Sequence, residues 1–231
     1  MALPPGWDIS HAAAGCPVVP WRGTAYRAHN SAFSGDSPLG SRRSSGRFHR
    51  GLDVFQPRDL DGYEPVLTPE EAEAAWEHHA QQDLVWEVLY TSSSTGVCLA
   101  ENMRQLGKDT ATLTVAHVLQ FFATRQMTTL SLHLERALDC RNYGRLGLTE
   151  QDLEHYLFPY TDYELGQSLA SSALKMGCDG ILVPTATKVP GFNIVPFTGK
   201  IPAGAVTLLD STKLEIFPKD LLPLTGPPPL G

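Results

Sequence analysis

The sequence lacks several features that would assign its class at once. Its four cysteines, Cys16, Cys98, Cys140 and Cys178, include no Cys-x-x-Cys pair, so we expect no zinc site and reduced thiols in a cytoplasmic setting. No stretch reaches the roughly 18 apolar residues of a membrane span, and no basic segment followed by an apolar run predicts a signal peptide. A Gly-x-Gly-x-x-Gly turn, typical of Rossmann nucleotide sites, is also missing.

Excess positive charge is missing too. The 231 residues contain 18 Lys and Arg against 25 Asp and Glu, a net charge of −7. This balance argues against a general nucleic-acid surface, although it is compatible with a local basic cleft. The only adjacent histidines are His78 and His79, which face different directions on a helix, so no metal site is predicted.

The apolar patterns predict short strands and helices without strict alternation, which favours an α+β fold. Helix starts are indicated by the capping-box sequence Thr68-Pro69-Glu70-Glu71 and by Thr149 with Asp152. The predicted helices span residues 69–82, 95–106, 113–123, 149–156 and 163–176. The predicted strands span residues 22–29, 85–90, 127–134 with an extension through 136–140, 180–183, 192–197 and 206–209.

Four polar residues stand at the ends of segments that should form the core: Arg27, Arg47, Tyr90 and Glu101. Charged groups there are costly unless they are paired or meet a charged ligand. The guanidinium fork matches phosphate oxygens, and a nearby carboxylate suits a sugar hydroxyl or a developing cation. These residues therefore predict a pocket for a dinucleotide or a similar phosphate-bearing ligand, with chemistry at a ribose.

Ordinary structural roles are the alternative. Arg27 and Arg47 could each pair with a carboxylate, Tyr90 could be core edge at the end of a strand, and Glu101 could face solvent on its helix. Residues 30–46 form a long Ser- and Gly-rich loop, and its arginines could equally belong to a solvated basic turn.

The same residues carry a family resemblance. The chain has Tyr26-Arg27, Gly46-Arg47, Leu89-Tyr90, Leu99-Ala100-Glu101, Leu138-Asp139, Gly180 to Thr185, and Asn193-Ile194-Val195. Each motif alone is weak, but seven in this order from about Trp21 to Phe197 resemble the RES domain, the toxin of RES–Xre toxin–antitoxin pairs.

The resemblance implies a fold and a chemistry. The fold would be similar to that of ADP-ribosyltransferases, with two packed, mainly antiparallel sheets, surrounding helices, and NAD between the sheets as substrate. Arg27, Gly46, Arg47 and Tyr90 would bind NAD. Glu101, assisted by Arg27 and Thr185, would catalyse cleavage of the nicotinamide–ribose bond without a metal. Water, phosphate or a protein side chain could accept the ADP-ribosyl group.

Some residues depart from the family pattern. Thr185 replaces the serine for which the family is partly named, Phe48 and His49 replace Trp-Asn, and Ser45 replaces a glycine. These changes leave open a non-catalytic nucleotide-binding module on the same fold.

The resemblance also implies a partner and a domain layout. The partner would be an Xre-type antitoxin on another chain, since no helix-turn-helix pattern appears here. We expect no membrane and no direct nucleic-acid contact, and a homodimer is left open. Residues 1–20 should be an irregular arm, residues 21–217 one catalytic domain with a helical insertion at 56–83, and residues 218–231 a Pro-rich tail.

Overall fold

The structure, a computed structural model, describes residues 7–38, 41, 46–52, 68–109, 114–153 and 163–214. Arg42, Arg43, Ser45, residues 56–67 of the expected insertion and the Pro-rich tail lie outside these residues. The helices are α1 (Ile9–Ala14), α2 (Pro69–Ala80), α3 (Thr95–Asp109), α4 (Val115–Ala123), α5 (Glu150–Asp152) and α6 (Glu164–Lys175), with a 3-10 helix at Tyr143–Leu146. The strands are β1 (Val18–Asn30), β2 (Thr91–Ser92), β3 (Arg125–Asp139), β4 (Gly180–Pro184), β5 (Phe192–Pro196) and β6 (Val206–Lys213).

The strands form one hydrogen-bonded sheet that closes on itself. Its order is β1-β2-β5-β4-β3-β6, and β1 also pairs with β3. Only the β3–β4 pairing is parallel among the described strands; the others are antiparallel. The mixed α+β fold and the antiparallel preference are therefore confirmed, whereas one continuous sheet stands where two separate sheets were expected.

The long strand β3 explains the closure. One of its edges pairs with β1 from Arg125 to Leu138. Its other edge pairs first with β6, from Gln126 to Leu132, and then with β4, from Ala137 to Asp139. A strand of 15 residues is long enough to pair with three neighbours in this way. One sheet can therefore close on itself without a second sheet.

Two core clusters lie on the two faces of this sheet. Leu130, Leu132 and Leu134 alternate along β3, are fully buried, and pack in one cluster with Leu182 of β4 and Ile194 of β5. The neighbouring residues Ile181, Val183 and Val195 belong to the other cluster, which also holds the buried faces of α1 and α6. Strand β4 is thus buried on both faces, which explains its unbroken apolar sequence.

The N-terminal arm is not irregular in its described part. Helix α1 begins after Asp8, whose side chain accepts a hydrogen bond from the Ser10 N–H at 2.8 Å. Ala13 is completely buried, and the Trp7 indole donates to the Leu146 carbonyl at 2.8 Å. The sequence did not predict this short alanine-rich helix, because a helix of so few residues shows no repeated apolar periodicity.

The strand predicted at 85–90 is wrong in extent. Trp86 pairs only with Arg50 and Val88 only with Phe197, as isolated bridges, and the regular strand β2 begins one residue later, at Thr91. Because those two partners belong to different segments, no continuous ladder forms along residues 85–90.

The predicted helix starts are confirmed. Thr68 and Glu71 form a reciprocal capping box at α2, and Thr149 and Asp152 form another at α5. Gly177 adopts φ 71° just after α6, as expected for a glycine that ends a helix. Within the described segments, no helix is both long and apolar enough to cross a bilayer.

Candidate functional site

A cavity of about 490 Å³ opens between β1, the 46–49 turn and helix α3, a volume typical of small-molecule sites. Five of the six predicted site residues line it: Arg27, Gly46, Arg47, Tyr90 and Glu101. Distant parts of the sequence therefore meet in one place. The sixth residue, Thr185, is not among the lining residues but contacts one of them.

Glu101 is held through a single carboxylate oxygen. Its Oε1 accepts hydrogen bonds from the Thr185 hydroxyl at 2.9 Å, the Ala186 N–H at 2.7 Å and the Asn193 Nδ2 at 2.9 Å. Among the described residues, no hydrogen bond reaches Oε2. Three donors fix the direction of the carboxylate, and Oε2 is the oxygen that can meet a ligand.

Helix α3 brings Glu101 to this position. The Ser94 hydroxyl accepts the Val97 N–H at 3.2 Å at the start of the helix, and Glu101 follows on its second turn. The Cys98 sulfur, one turn before Asn102, accepts the Ala28 N–H at 3.0 Å and so fastens the helix to β1. Glu101 therefore does not simply face solvent on its helix, which was the alternative interpretation of the sequence.

The β4–β5 connection lies against α3 because of Gly191. This residue has φ 145°, and a Cβ there would lie 2.6 Å from Val97 Cγ2. A larger residue would push the connection away from the helix. The close approach is what lets Thr185, Ala186 and Asn193 reach the Glu101 carboxylate.

Thr185 positions Glu101 and is not itself a lining residue. Its hydroxyl accepts the Thr187 N–H at 3.0 Å, which leaves its own proton for Glu101 Oε1. The hydroxyl therefore contacts the carboxylate of Glu101 and does not line the cavity, so a catalytic role for Thr185 stays a prediction.

Asn193 and Ser92 complete the support of Glu101. The Asn193 side chain donates to Glu101 and accepts the Ser92 hydroxyl at 2.8 Å. The two residues are paired across β5 and β2, and each is at least 93% buried. Asn193 belongs to the Asn193-Ile194-Val195 motif, yet only the strand pairing shows that its side chain donates a hydrogen bond to the glutamate.

Arg47 lies where α6 and the 46–49 turn touch. A Cβ on Gly166 of α6 would stand 2.3 Å from the Arg47 carbonyl oxygen, and a Cβ on Gly46 would stand 2.4 Å from the His49 ring. The Gln167 amide donates to the Gly46 carbonyl at 3.1 Å. Gly46 and Gly166 are therefore the residues that permit this packing, and Gly46 acts on the site through the backbone.

Tyr90 links the turn to the cavity. Its hydroxyl accepts the Phe48 N–H at 2.8 Å and lies 3.1 Å from Nδ1 of His49. Burial raises the pKa of this hydroxyl far above its ordinary value, so it stays protonated. The residue as a whole is 37% exposed, which leaves the ring available to a flat ligand group.

Arg27 has a structural task as well as a place in the cavity. Its Nη1 donates to the carbonyls of Gly35 at 2.9 Å and Ser37 at 2.8 Å, and so holds residues 31–38 against β1. Burial lowers the pKa of Arg27 to about 10, a value at which the group still carries its charge at neutral pH.

The cavity is positively charged although the chain is negative. Its lining contains four arginines, Arg27, Arg47, Arg104 and Arg125, and Glu101 is its only described carboxylate. Burial lowers the pKa of Arg47, and the charge of Glu101 opposes that shift. Such a lining attracts an anionic ligand. Within the described segments, no three His, Cys, Asp or Glu side chains gather as metal ligands would.

Comparison with known protein families identifies the chain. A match to the RES domain spans residues 19–215. The chain belongs to the RES family. A chain of the crystal structure of the M. tuberculosis MbcT–MbcA toxin–antitoxin complex superposes with a TM-score of 0.62 at 19% identity, covering 89% of this chain and 91% of that chain. This likeness shows a shared fold. No curated protein matches the chain significantly.

Phe48, His49 and Thr185, three of the departures from the RES pattern, lie within the described residues. Phe48 is 1% exposed and belongs to the core cluster beside α6. The His49 ring lies 5.6 Å from the Tyr90 ring, edge to face. Thr185 keeps the hydroxyl that the RES serine supplies and uses it on Glu101. The cavity of this RES chain is thus formed with these three residues in place.

Proposed function

We propose that this RES protein cleaves NAD at the nicotinamide–ribose bond. The observation that carries the proposal is the Glu101 carboxylate, held through Oε1 by three donors in a cavity lined by four arginines. The choice of NAD as the substrate rests on the family resemblance. The charges fit it, because the cationic lining matches a diphosphate and one oriented carboxylate matches a cation formed on the ribose.

The chemistry follows from the charge that develops. When the bond between nicotinamide nitrogen and ribose carbon breaks, the electron pair leaves with nicotinamide and the ribose becomes oxocarbenium-like. A carboxylate next to that carbon stabilises the positive charge, as in glycosidases. Glu101 would act through Oε2, because Oε1 is already committed to its three donors.

The other lining residues would orient the dinucleotide. The Tyr90 ring offers a face for the nicotinamide. Arg47 would meet the phosphates, since a guanidinium binds phosphate through parallel hydrogen bonds. Arg27 would contribute charge while it holds residues 31–38 in place.

Water or phosphate is the acceptor we propose, so that the protein depletes NAD as a toxin would. Incubation of the full chain with NAD, with and without phosphate, tests this when nicotinamide, ADP-ribose and phosphorylated ADP-ribose are separated. Nicotinamide with either sugar product supports the proposal. Nicotinamide with label retained on protein would indicate an ADP-ribosyltransferase instead, and tight NAD binding without turnover would indicate a non-catalytic module.

An antitoxin of the Xre type would be the partner in the cytoplasm. The M. tuberculosis complex, whose fold is similar, holds a toxin with its antitoxin. Co-expression of this chain with the product of a neighbouring Xre-like reading frame, followed by co-purification, tests the pairing. Failure of the two chains to associate, with full toxicity in their joint presence, would contradict it.

A further inference from the structure

Arg125 is a lining residue of the cavity to which neither the sequence motifs nor the proposed reaction gives a task. It stands at the start of β3, opposite Asn30 of β1. Its charge acts on the Cys98 thiol together with that of Arg27, and the same two charges act on His29. Arg125 therefore lies on the Arg27 side of the cavity.

The guanidinium of Arg125 has no anionic partner among the described residues. Its carbon atom lies 3.9 Å above the centre of the Phe121 ring of α4. Stacking on an aromatic face leaves the N–H donors of the guanidinium, which lie in its plane, for another ligand. In contrast, the Nη1 group of Arg27 is already bound to two backbone carbonyls.

The surroundings of Arg125 make a guanidinium without a bound anion unfavourable. Arg125 is partly buried, and burial lowers its pKa, so its charge is poorly solvated. The nearby α3 surface contributes amide side chains to the cavity, at Asn102 and Gln105, and no carboxylate of the described residues forms an ion pair with it. A preoriented, poorly solvated guanidinium beside neutral donors is suited to a phosphate group.

The geometry points to Arg125, stacked on Phe121, as a phosphate-binding residue of this cavity. The phosphate would belong to the diphosphate of the bound dinucleotide; inorganic phosphate is the other source of the same chemistry. The identity of the ligand rests on the proposed function, whereas the anion site itself does not.

Calorimetric titration of the full chain tests the assignment with four probes: ADP-ribose, inorganic pyrophosphate, inorganic phosphate and adenosine. Arg125→Gln should weaken ADP-ribose binding by about 10- to 100-fold, the loss typical of one charge-assisted hydrogen bond, and should leave adenosine binding unchanged. Arg22→Gln is the matched control, because Arg22 is an exposed arginine of β1 whose guanidinium hydrogen-bonds, among the described residues, to His133 alone.

Arg125→Lys provides the second variant. It keeps the charge but loses the planar fork and the stack, so its affinity for ADP-ribose should fall between those of the wild type and Arg125→Gln. If Arg125→Gln fails to fold, as judged by thermal melting, an unchanged affinity in Arg125→Lys overturns the assignment.

The outcomes separate this site from the proposed reaction. Pyrophosphate binding that is lost in Arg125→Gln, with no binding of ADP-ribose to the wild type, keeps the anion site and removes the dinucleotide. Loss of inorganic phosphate binding alone assigns Arg125 to that anion. The inference is overturned if the wild type and Arg125→Gln bind the phosphate probes with equal affinity. It is also overturned if Arg125→Gln weakens adenosine binding as much as ADP-ribose binding, or if the wild type binds no phosphate probe.

Discussion

The residue that organises the site is a glutamate whose supports come from another part of the chain. Thr185 and Asn193 lie 84 and 92 positions from Glu101, yet both bind its Oε1. Each donor hydrogen-bonds a charged acceptor, an interaction worth about 1.5–3 kcal/mol. The direction of the carboxylate therefore depends on Thr185, which does not line the cavity, and on Asn193, which does.

Thr185→Val should impair activity, whereas Thr185→Ser should not. Valine keeps the branched shape but removes the proton bound by Glu101 and the acceptor of the Thr187 N–H, at a cost of roughly 1–3 kcal/mol. Serine keeps both. Nicotinamide release and thermal melting of the two variants provide the measurement.

Thr187→Val is the control for that pair, because the Thr187 hydroxyl meets Thr185 at 2.7 Å and not Glu101. It should lose less activity than Thr185→Val. Full activity in Thr185→Val would remove the hydroxyl from the account of the site.

At the scale of elements, the cavity depends on how closely helices approach the loops beside them. Helix α6 meets the Arg47 backbone at Gly166, and α3 meets the β4–β5 connection at Gly191. Both contacts leave no room for a Cβ. The glycines thus set the distance between helix and loop, and with it the position of the arginine and of the glutamate.

Gly166→Ala should destabilise the protein and weaken ligand binding together. Its Cβ would stand 2.3 Å from the Arg47 carbonyl oxygen, so either α6 or the 46–49 turn must move. Overpacking of this kind costs typically about 1–3 kcal/mol. Denaturant unfolding and titration with ADP-ribose measure the two effects.

Gly107→Ala is the matched control on α3, since nothing lies within 4 Å of a Cβ there. It should be neutral or stabilising by up to about 1 kcal/mol, because alanine is the better helix former. Equal behaviour of the two alanine variants would show that the approach of α6 to Arg47 is not tight.

For the whole molecule, the contrast in charge is the main physical feature. The chain carries −7 in total, yet its cavity is lined by four arginines and one described carboxylate. The overall negative charge should slow the approach of anions, whereas the arginine lining of the cavity attracts them. Selectivity for an anionic ligand must therefore arise inside the cavity.

Raising the ionic strength should weaken ADP-ribose binding several-fold and leave adenosine binding nearly unchanged. Salt screens the attraction between the arginines and the diphosphate, and adenosine has no such attraction to lose. Titrations at low and high sodium chloride concentration give the comparison. Equal salt dependence for the two ligands would contradict a cationic binding cavity.

Local signals predicted part of this structure. Capping residues such as Thr68 and Thr149 predicted helix starts because a cap is satisfied within one turn. The motif residues Arg27, Arg47, Tyr90 and Glu101 predicted a shared site because their chemistry is costly in a core. In each case the signal is carried by single residues and their immediate neighbours along the chain.

Pairing between distant segments was not predictable in the same way. Trp86 and Val88 alternate with polar residues like a strand, but their partners lie in different segments, so only bridges form. The closure of the sheet depends on β3 serving three neighbours. The support of Glu101 by Asn193, and the stack of Arg125 on Phe121, likewise appear only when the elements are assembled.

The most direct test of the account is nicotinamide release by Glu101→Gln. An amide can keep its oxygen at the position of Oε1, where three donors hold it, and place its NH₂ where Oε2 stands, so shape is retained and the charge is removed. We expect turnover to fall by at least 100-fold, the loss of several kcal/mol of transition-state stabilisation, with NAD binding and melting temperature close to wild type. Turnover equal to that of the wild type would contradict the central claim that Glu101 stabilises the cation formed on the ribose.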